Sequence, residues 1–69
     1  MKVKVDLKAD ALYFRLSDDR VENSQEVSQG VILDFNKSGI VVGIELLGIK
    51  NRFPLEDLSH FKVDVSTVA

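Results

Sequence analysis

The chain has 69 residues, of which 45% are hydrophobic and 29% are charged, and its net charge is −2. This length predicts a single domain over residues 1–69, with a small core and marginal stability on its own. The absence of cysteine and the single histidine exclude disulfides, thiolate metal sites and histidine clusters. The near balance of charges argues against disorder and against a strongly basic surface for nucleic acid.

The N-terminal residues alternate charge with valine and contain no continuous apolar run, so the sequence indicates neither a signal peptide nor a membrane span. We therefore expect a cytoplasmic protein without a membrane partner. We also expect no nucleic-acid partner, although Lys2, Lys4 and Lys8 leave a local basic edge that keeps this alternative open.

Alternation of apolar and polar residues predicts a first strand over residues 2–6 and a second over residues 11–16. Asp6 and Asp10 flank the intervening turn, and we expect their carboxylates to accept hydrogen bonds from nearby backbone amides. One face of the second strand is apolar and the other is mixed. The first face carries Leu12, Phe14 and Leu16, and the second carries Tyr13, Arg15 and Ser17.

The polar segment over residues 21–27 predicts an irregular connection that becomes an edge strand at residues 24–27, because charged and polar side chains discourage foreign pairing there. Two further strands over residues 31–35 and 40–47 form a hairpin that we place at the centre of the sheet. Gly39 can take the left-handed conformation that closes such a hairpin. Gly43 lies within a strand, where it indicates a bulge or a close side-chain neighbour.

Residues 48–52 are predicted to be a loop, and residues 54–61 to form a short helix that Pro54 begins. The alternating tail over residues 62–69 could add a sixth strand. The predicted fold class is therefore α+β, an antiparallel meander sheet of about five strands with one short C-terminal helix.

Both faces of the central hairpin carry apolar side chains, and a chain this short covers only one face well. Arg15 is expected to form a cross-strand ion pair with Asp34 or Glu45 on the mixed face. We interpret that face as a contact surface for a second copy of the chain or for another small protein. The predicted interface residues are Tyr13, Ile32, Val41 and Leu47.

Clustered carboxylates are the main alternative, since a small hydrolase or a metal-dependent enzyme could use them. The candidates are Asp6, Asp10, Asp34 and Glu45. A purely structural role explains the same residues. Asp6 and Asp10 would cap turns, and Asp34 and Glu45 would form ion pairs. His60 fits the C-terminus of the predicted helix, and no phosphate-binding glycine motif is present. We expect no catalytic residue, no metal site and no cofactor.

Two segments resemble a family of small bacterial and archaeal proteins. Residues 6–16 resemble its YDxxADALYIxL opening, and residues 26–47 resemble its GVILDxDxxGxIVGIEIL block. The resemblance covers residues 1–60, with Val5 in place of a frequent aromatic residue and with an unaligned tail after Phe61. The family is catalogued as a domain of unknown function, so the resemblance implies no activity, cofactor or site residue. Some members resemble the partner of a toxin-like protein in a two-gene module, which implies an antitoxin-type binding protein.

Overall fold

A computed structural model of the chain describes residues 1–67. All strand pairs in its single sheet are antiparallel, and the strand order is β1-β2-β5-β4-β3. The strands are β1 (Lys2–Asp6), β2 (Ala11–Arg15), β3 (Asn23–Ser28), β4 (Val31–Phe35) and β5 (Val41–Leu47). Two short 3₁₀ turns follow at Ile49–Asn51 and Asp57–Ser59.

The predicted five-stranded antiparallel sheet is confirmed, but its order is not that of a simple meander. The last strand, β5, lies at the centre between β2 and β4, and β1 and β3 are the two edges. A central position suits β5 because its apolar residues pack on one face while Gly43 leaves room on the other. The polar strand β3 is exposed along its whole length, as expected for a protected edge.

The β4–β5 connection closes as a hairpin with Gly39 at a φ of 81°, which glycine adopts without strain. Asn36 supports the turn, because its side-chain oxygen accepts hydrogen bonds from the backbone amides of Ser38 and Ile40, both at 2.9 Å. Beyond the turn, a β-bulge shifts the register so that Asp34 pairs with Gly43 while Phe35 pairs with Val41. The prediction of a bulge or a close neighbour at Gly43 is confirmed.

One face of the sheet, the covered face, carries the core. Ile49 and Leu58 from the C-terminal segment pack there against Leu12 of β2, and all three are buried. Val5, Phe14 and Leu46 surround them on the same face. Leu33 of β4 lies beyond this cluster and is only half-buried. The C-terminal segment thus covers the β1–β2–β5 side more fully than the β4 side.

Asp10 attaches the C-terminal segment to the sheet. Its φ of 55° is left-handed, and its carbonyl oxygen accepts the amides of Gly48 and Ile49. Its carboxylate accepts the amide of Lys50 at 2.9 Å, a bond that spans 40 residues of chain. The expectation of a local bond was therefore wrong for Asp10, whereas Asp6 accepts the amide of Ala9 at 2.9 Å as predicted.

The α-helix predicted over residues 54–61 is wrong, because that segment contains only the 3₁₀ turn Asp57–Ser59. Eight residues are too few to offset the entropy of helix nucleation, and one buried side chain, Leu58, is a weak tertiary anchor. The predicted α+β class is thus confirmed for its sheet and not for its helix. His60 caps this turn, with Nδ1 2.8 Å from the carbonyl oxygen of Glu56.

The tail over residues 62–67 is not a strand, and the last two positions of the predicted sixth strand lie outside the described residues. Val63 and Val65 pair with neither edge of the sheet and stay exposed, at 84% and 81%. Across residues 1–67, no helix has the length and apolarity that crossing a bilayer requires.

Candidate functional site

The candidate site lies on the opposite side of the sheet, which we call the open face. Two rows of cross-strand neighbours define it, and each row takes one residue from every strand. In strand order the first row is Lys2, Arg15, Gly43, Asp34 and Ser24. The second row is Lys4, Tyr13, Glu45, Ile32 and Glu26. Cross-strand partners point to the same face, so these side chains form one continuous surface.

Asp34 is the centre of a hydrogen-bonded cluster on this face. The Tyr13 hydroxyl donates to its Oδ2 at 3.0 Å, and the Ser24 hydroxyl donates to its Oδ1 at 2.6 Å. The carboxyl of Glu45, on the neighbouring strand β5, lies close enough to influence the pKa of Asp34. Asp34 is only 1% exposed, and a hydrogen bond to each of its oxygens offsets the cost of burying its carboxylate.

Gly43 makes this cluster possible. A Cβ atom at position 43 would lie 3.0 Å from Asp34 Oδ2 and 3.4 Å from Asp34 Cβ. The missing side chain therefore leaves the space over the central strand that the Asp34 carboxylate occupies. Tyr13 and Glu45, from the next row, reach diagonally toward the same space.

The pKa values of Asp34 and Glu45 shift in opposite directions. Burial raises the pKa of Asp34, but hydrogen bonds from Ser24, Glu45 and Tyr13, together with the nearby Arg15 charge, outweigh burial and lower it overall. Burial raises the pKa of Glu45, and its hydrogen bond to the charged Asp34 raises it further. The pair therefore ionises first at Asp34, and Glu45 keeps its proton to a higher pH.

Burial and the hydrogen bond to Asp34 also raise the pKa of Tyr13. Arg15 takes part mainly through its charge. Its Nη2 donates to the carbonyl oxygen of Asp19 at 2.6 Å, while its position in the first row brings the guanidinium close enough to lower the pKa of Asp34. The expected cross-strand ion pair is thus a longer-range attraction in this structure.

Only two of the four candidate carboxylates come together. Asp34 and Glu45 share the open face, whereas Asp6 and Asp10 are engaged by the turn amides described above. Within residues 1–67, no group of three or more potential ligands is arranged to hold a metal ion. Opposed pKa shifts in a carboxyl pair suit acid–base chemistry, but Asp34 is only 1% exposed and is already held by Tyr13 and Ser24. The cluster is best explained as a structural network.

The predicted interface residues do not all share this face. Tyr13 and Ile32 flank Glu45 in the second row, and Leu47 follows two residues further along β5. Val41 pairs with Phe35, whose side chain alternates to the covered face, because the bulge breaks the regular period of β5. Tyr13 and Ile32 are half-buried and Leu47 is exposed within the single chain.

Charge is distributed unevenly across the open face. Its β1–β2 side carries Lys2, Lys4 and Arg15, and its β4–β3 side carries Asp34 and Glu26. A shallow concavity of about 600 Å³ lies on the β1–β2 side next to Tyr13, and Asp6 and Asp18 line it together with the three basic residues. The open face is therefore basic on one side, acidic on the other, and partly apolar between them.

Sequence reasoning placed Ser24 at the start of the edge strand but did not identify it as a partner of Asp34. The structure places it in β3 beside Asp34. The sequence signal was the spacing of Glu22, Ser24 and Glu26, which puts their side chains on one face of a strand. That spacing identifies Ser24 as a partner of Asp34 only once the β3–β4 register is known.

Comparison with known proteins gives a family and no established activity. No curated protein and no solved structure matches the chain significantly. The sequence model of a family described as protein of unknown function, DUF2283, matches residues 2–50, which include all five strands. The matched segment is more than two thirds of the chain, and this protein therefore belongs to the DUF2283 family.

Proposed function

We propose that this protein is a non-enzymatic interaction module that binds another protein chain through the open face of its sheet. The simplest partner is a second copy. The observation that supports the proposal most strongly is that apolar side chains lie on a sheet face that lacks a covering layer in the described chain. Tyr13, Ile32 and Leu47 alternate there with charged residues.

The small core supports the same proposal. The buried hydrophobic residues of the described chain are Leu12, Val42, Ile49 and Leu58, while many other apolar residues remain partly or largely exposed. A domain of this size has little stability to spare, and burial of further apolar surface by a partner would add to it.

Size-exclusion chromatography with light scattering, together with native mass spectrometry, tests this proposal. We expect the mass to rise from one copy to two between about 5 and about 500 µM, a range suited to a weak complex. Ile32→Thr should weaken association because it removes apolar surface while keeping a β-branched side chain. Ile40→Thr, at an exposed position next to the turn, is the matched control. A monomer at every concentration that also binds no partner chain would overturn the proposal.

An antitoxin-type protein, which the family resemblance implies, is one form of this function. In that case the open face would bind a different small protein. Co-expression of the chain with a candidate partner, followed by native mass spectrometry of the purified complex, distinguishes a mixed complex from a complex of identical copies.

Acid–base catalysis by Glu45 next to Asp34 is a second candidate, favoured by the opposed pKa shifts of the two groups. It requires hydrolysis of chromogenic ester or phosphodiester probes that disappears in Glu45→Gln and persists in Glu56→Gln. Glu56 is exposed and lies outside the sheet, so it is a matched control. Equal background rates in all three proteins would eliminate this candidate.

A further inference from the structure

The open face is complementary to itself, and the geometry points to a homodimer whose two-fold axis runs parallel to β5 above that face. This inference rests on the proposed function and specifies its partner and arrangement. It follows from the strand order and from the two rows defined above.

Strand β5 is the middle strand of the sheet. When two open faces meet around a two-fold axis parallel to β5, β1 of one copy lies over β3 of the other, and β2 lies over β4. Because the axis is parallel to the strands, each row meets the same row of the second copy. An isologous contact of this kind repeats every pair twice.

The second row matches itself under this operation. Lys4 meets Glu26 of the second copy, and Tyr13 meets Ile32. Glu45 meets its own symmetry mate near the axis, and this is the one like-charge contact in the row. Apolar contacts therefore flank the axis, and charge pairs lie at the rim.

The first row also lies over the first row of the second copy. Arg15 lies over Asp34 of the second copy, and Gly43 lies over Gly43. The concavity of about 600 Å³ beside Tyr13 and Arg15 faces the β3–β4 side of the second copy and therefore lies opposite Ile32 and Glu26. Direct charge pairs thus lie in the second row, and the first row adds only a longer-range attraction, because Asp34 is 1% exposed within its own chain.

The other face-to-face arrangement does not fit. A two-fold axis perpendicular to the strands places β1 over β1, so that Lys2 and Lys4 approach the lysines of the second copy. It also places Glu26 near Glu26. Like charges brought together in this way oppose association, so the charge distribution selects the parallel axis.

The area available sets the strength of the dimer. Five strands of about five residues give a face roughly 20 Å wide and about 17 Å long. A footprint on the order of 350 Å² is well below the ~800 Å² per partner of a standard stable interface. We expect a reversible dimer with a micromolar or weaker dissociation constant, and the rim charges should fix its orientation more than its affinity.

Charge reversal at one rim pair tests the arrangement. Lys4→Glu and Glu26→Lys should each weaken self-association roughly tenfold, because each change creates two like-charge contacts in the dimer. An equimolar mixture of the two variants should recover a mixed dimer of wild-type strength, since both contacts are then of opposite charge. The double variant K4E/E26K should recover its own dimer. Lys62→Glu and Glu56→Lys, at exposed positions outside the sheet, are the matched charge controls.

The outcomes separate this inference from the proposed function. Self-association of the wild type that neither Lys4→Glu nor Glu26→Lys changes would overturn the arrangement and leave the interaction function standing. Failure of the mixture to recover, or preferential pairing of Lys4→Glu with the wild type, would also overturn it. A wild type that stays monomeric and binds no other chain overturns both.

Cysteine cross-linking gives a second measurement that does not depend on like-charge repulsion. The chain has no cysteine of its own, so single substitutions report one position each. A short bismaleimide should link Lys4→Cys to Glu26→Cys in a mixture and should link neither variant to itself. Self-linking of Lys4→Cys would place β1 over β1 and overturn the parallel axis.

Discussion

The two faces of the sheet stabilise the same five strands by different means. The covered face uses a few fully buried apolar side chains, with Ile49 at 0% exposure, under a short C-terminal segment. Within residues 1–67 the open face has no such layer and uses one buried carboxylate with a hydrogen-bond partner on each oxygen. A sheet can therefore expose a face without leaving a buried polar group unsatisfied, and the same face stays free for a second chain.

Loss of Ile49 should have the largest effect, because it removes the cover. Ile49→Ala leaves a cavity under the C-terminal segment and should destabilise the fold by about 2–5 kcal/mol. Ile49→Val should cost about 0.5–1.5 kcal/mol, and Val65→Ala in the exposed tail should change stability by less than about 0.5 kcal/mol. Urea unfolding followed by circular dichroism measures all three. Equal effects at residues 49 and 65 would contradict the assigned core.

The open face should be disrupted most by a side chain at residue 43. Gly43→Ala brings a methyl group within 3.0 Å of the Asp34 carboxylate, and we expect a destabilisation of about 1–3 kcal/mol. Chemical denaturation measures this change. In a double-mutant cycle with Asp34→Ala, the added cost of Gly43→Ala should shrink, because the carboxylate it displaces is gone. Strictly additive effects would show that residue 43 does not act through Asp34.

Asp10 connects the cover to the sheet, and its loss should have an intermediate effect. Asp10→Ala removes the acceptor of the Lys50 amide and places alanine at a φ of 55°, which should cost about 1–2 kcal/mol. Asparagine tolerates this conformation and keeps a side-chain acceptor, so Asp10→Asn should cost less. Hydrogen exchange at Lys50 should accelerate more in the alanine variant than in the asparagine variant. Equal exchange in both would argue against a role for the side chain.

The smallest effect concerns the pH dependence of the open face. The pKa of Glu45 is raised in the folded protein. Protonated Glu45 therefore stabilises the fold fully below pH 4.5, its ordinary pKa, and this contribution is lost as pH rises through the raised pKa. The lowered pKa of Asp34 means that its stabilisation is present above its ordinary value of 3.8 and is lost as pH falls through the lowered value. Wild-type stability should therefore be greatest in mild acid.

Glu45→Gln should remove the decline on the alkaline side of that maximum, because the amide next to Asp34 stays uncharged at every pH. Thermal unfolding of both proteins from about pH 4 to about pH 8 measures the difference. The acid-side decline should persist in the variant, since it belongs to Asp34. A decline of equal size in both proteins above pH 4.5 would show that Glu45 is not its source.

Local patterns predicted the strands and the division into faces, because alternation is a property of each strand alone. Tyr13 and Arg15 were separated correctly from Leu12 and Phe14 on this basis. Val41 was assigned to the wrong face, because a bulge depends on how β5 meets β4. Ile49 was missed as a core residue, since one apolar residue in a loop has no period to reveal it.

The candidate site was less predictable than the fold. Asp34, Glu45 and Arg15 were recognised as neighbours on one face, but the bond to Ser24 and the space above Gly43 depend on the cross-strand register. The 40-residue reach of Asp10 is a tertiary contact that no local turn rule describes. The central place of β5 likewise follows from pairing that joins residues distant in sequence.

The position of β5 also has a consequence for synthesis of the protein. Chains grow from the N-terminus at about 5–20 residues per second, and the strand that joins the β1–β2 hairpin to the β3–β4 hairpin is made last. Until residue 47 has emerged, β2 and β4 each present an unsatisfied edge to the surrounding cell. Unpaired strand edges favour aggregation, so the nascent chain stays open to it until its central strand has paired.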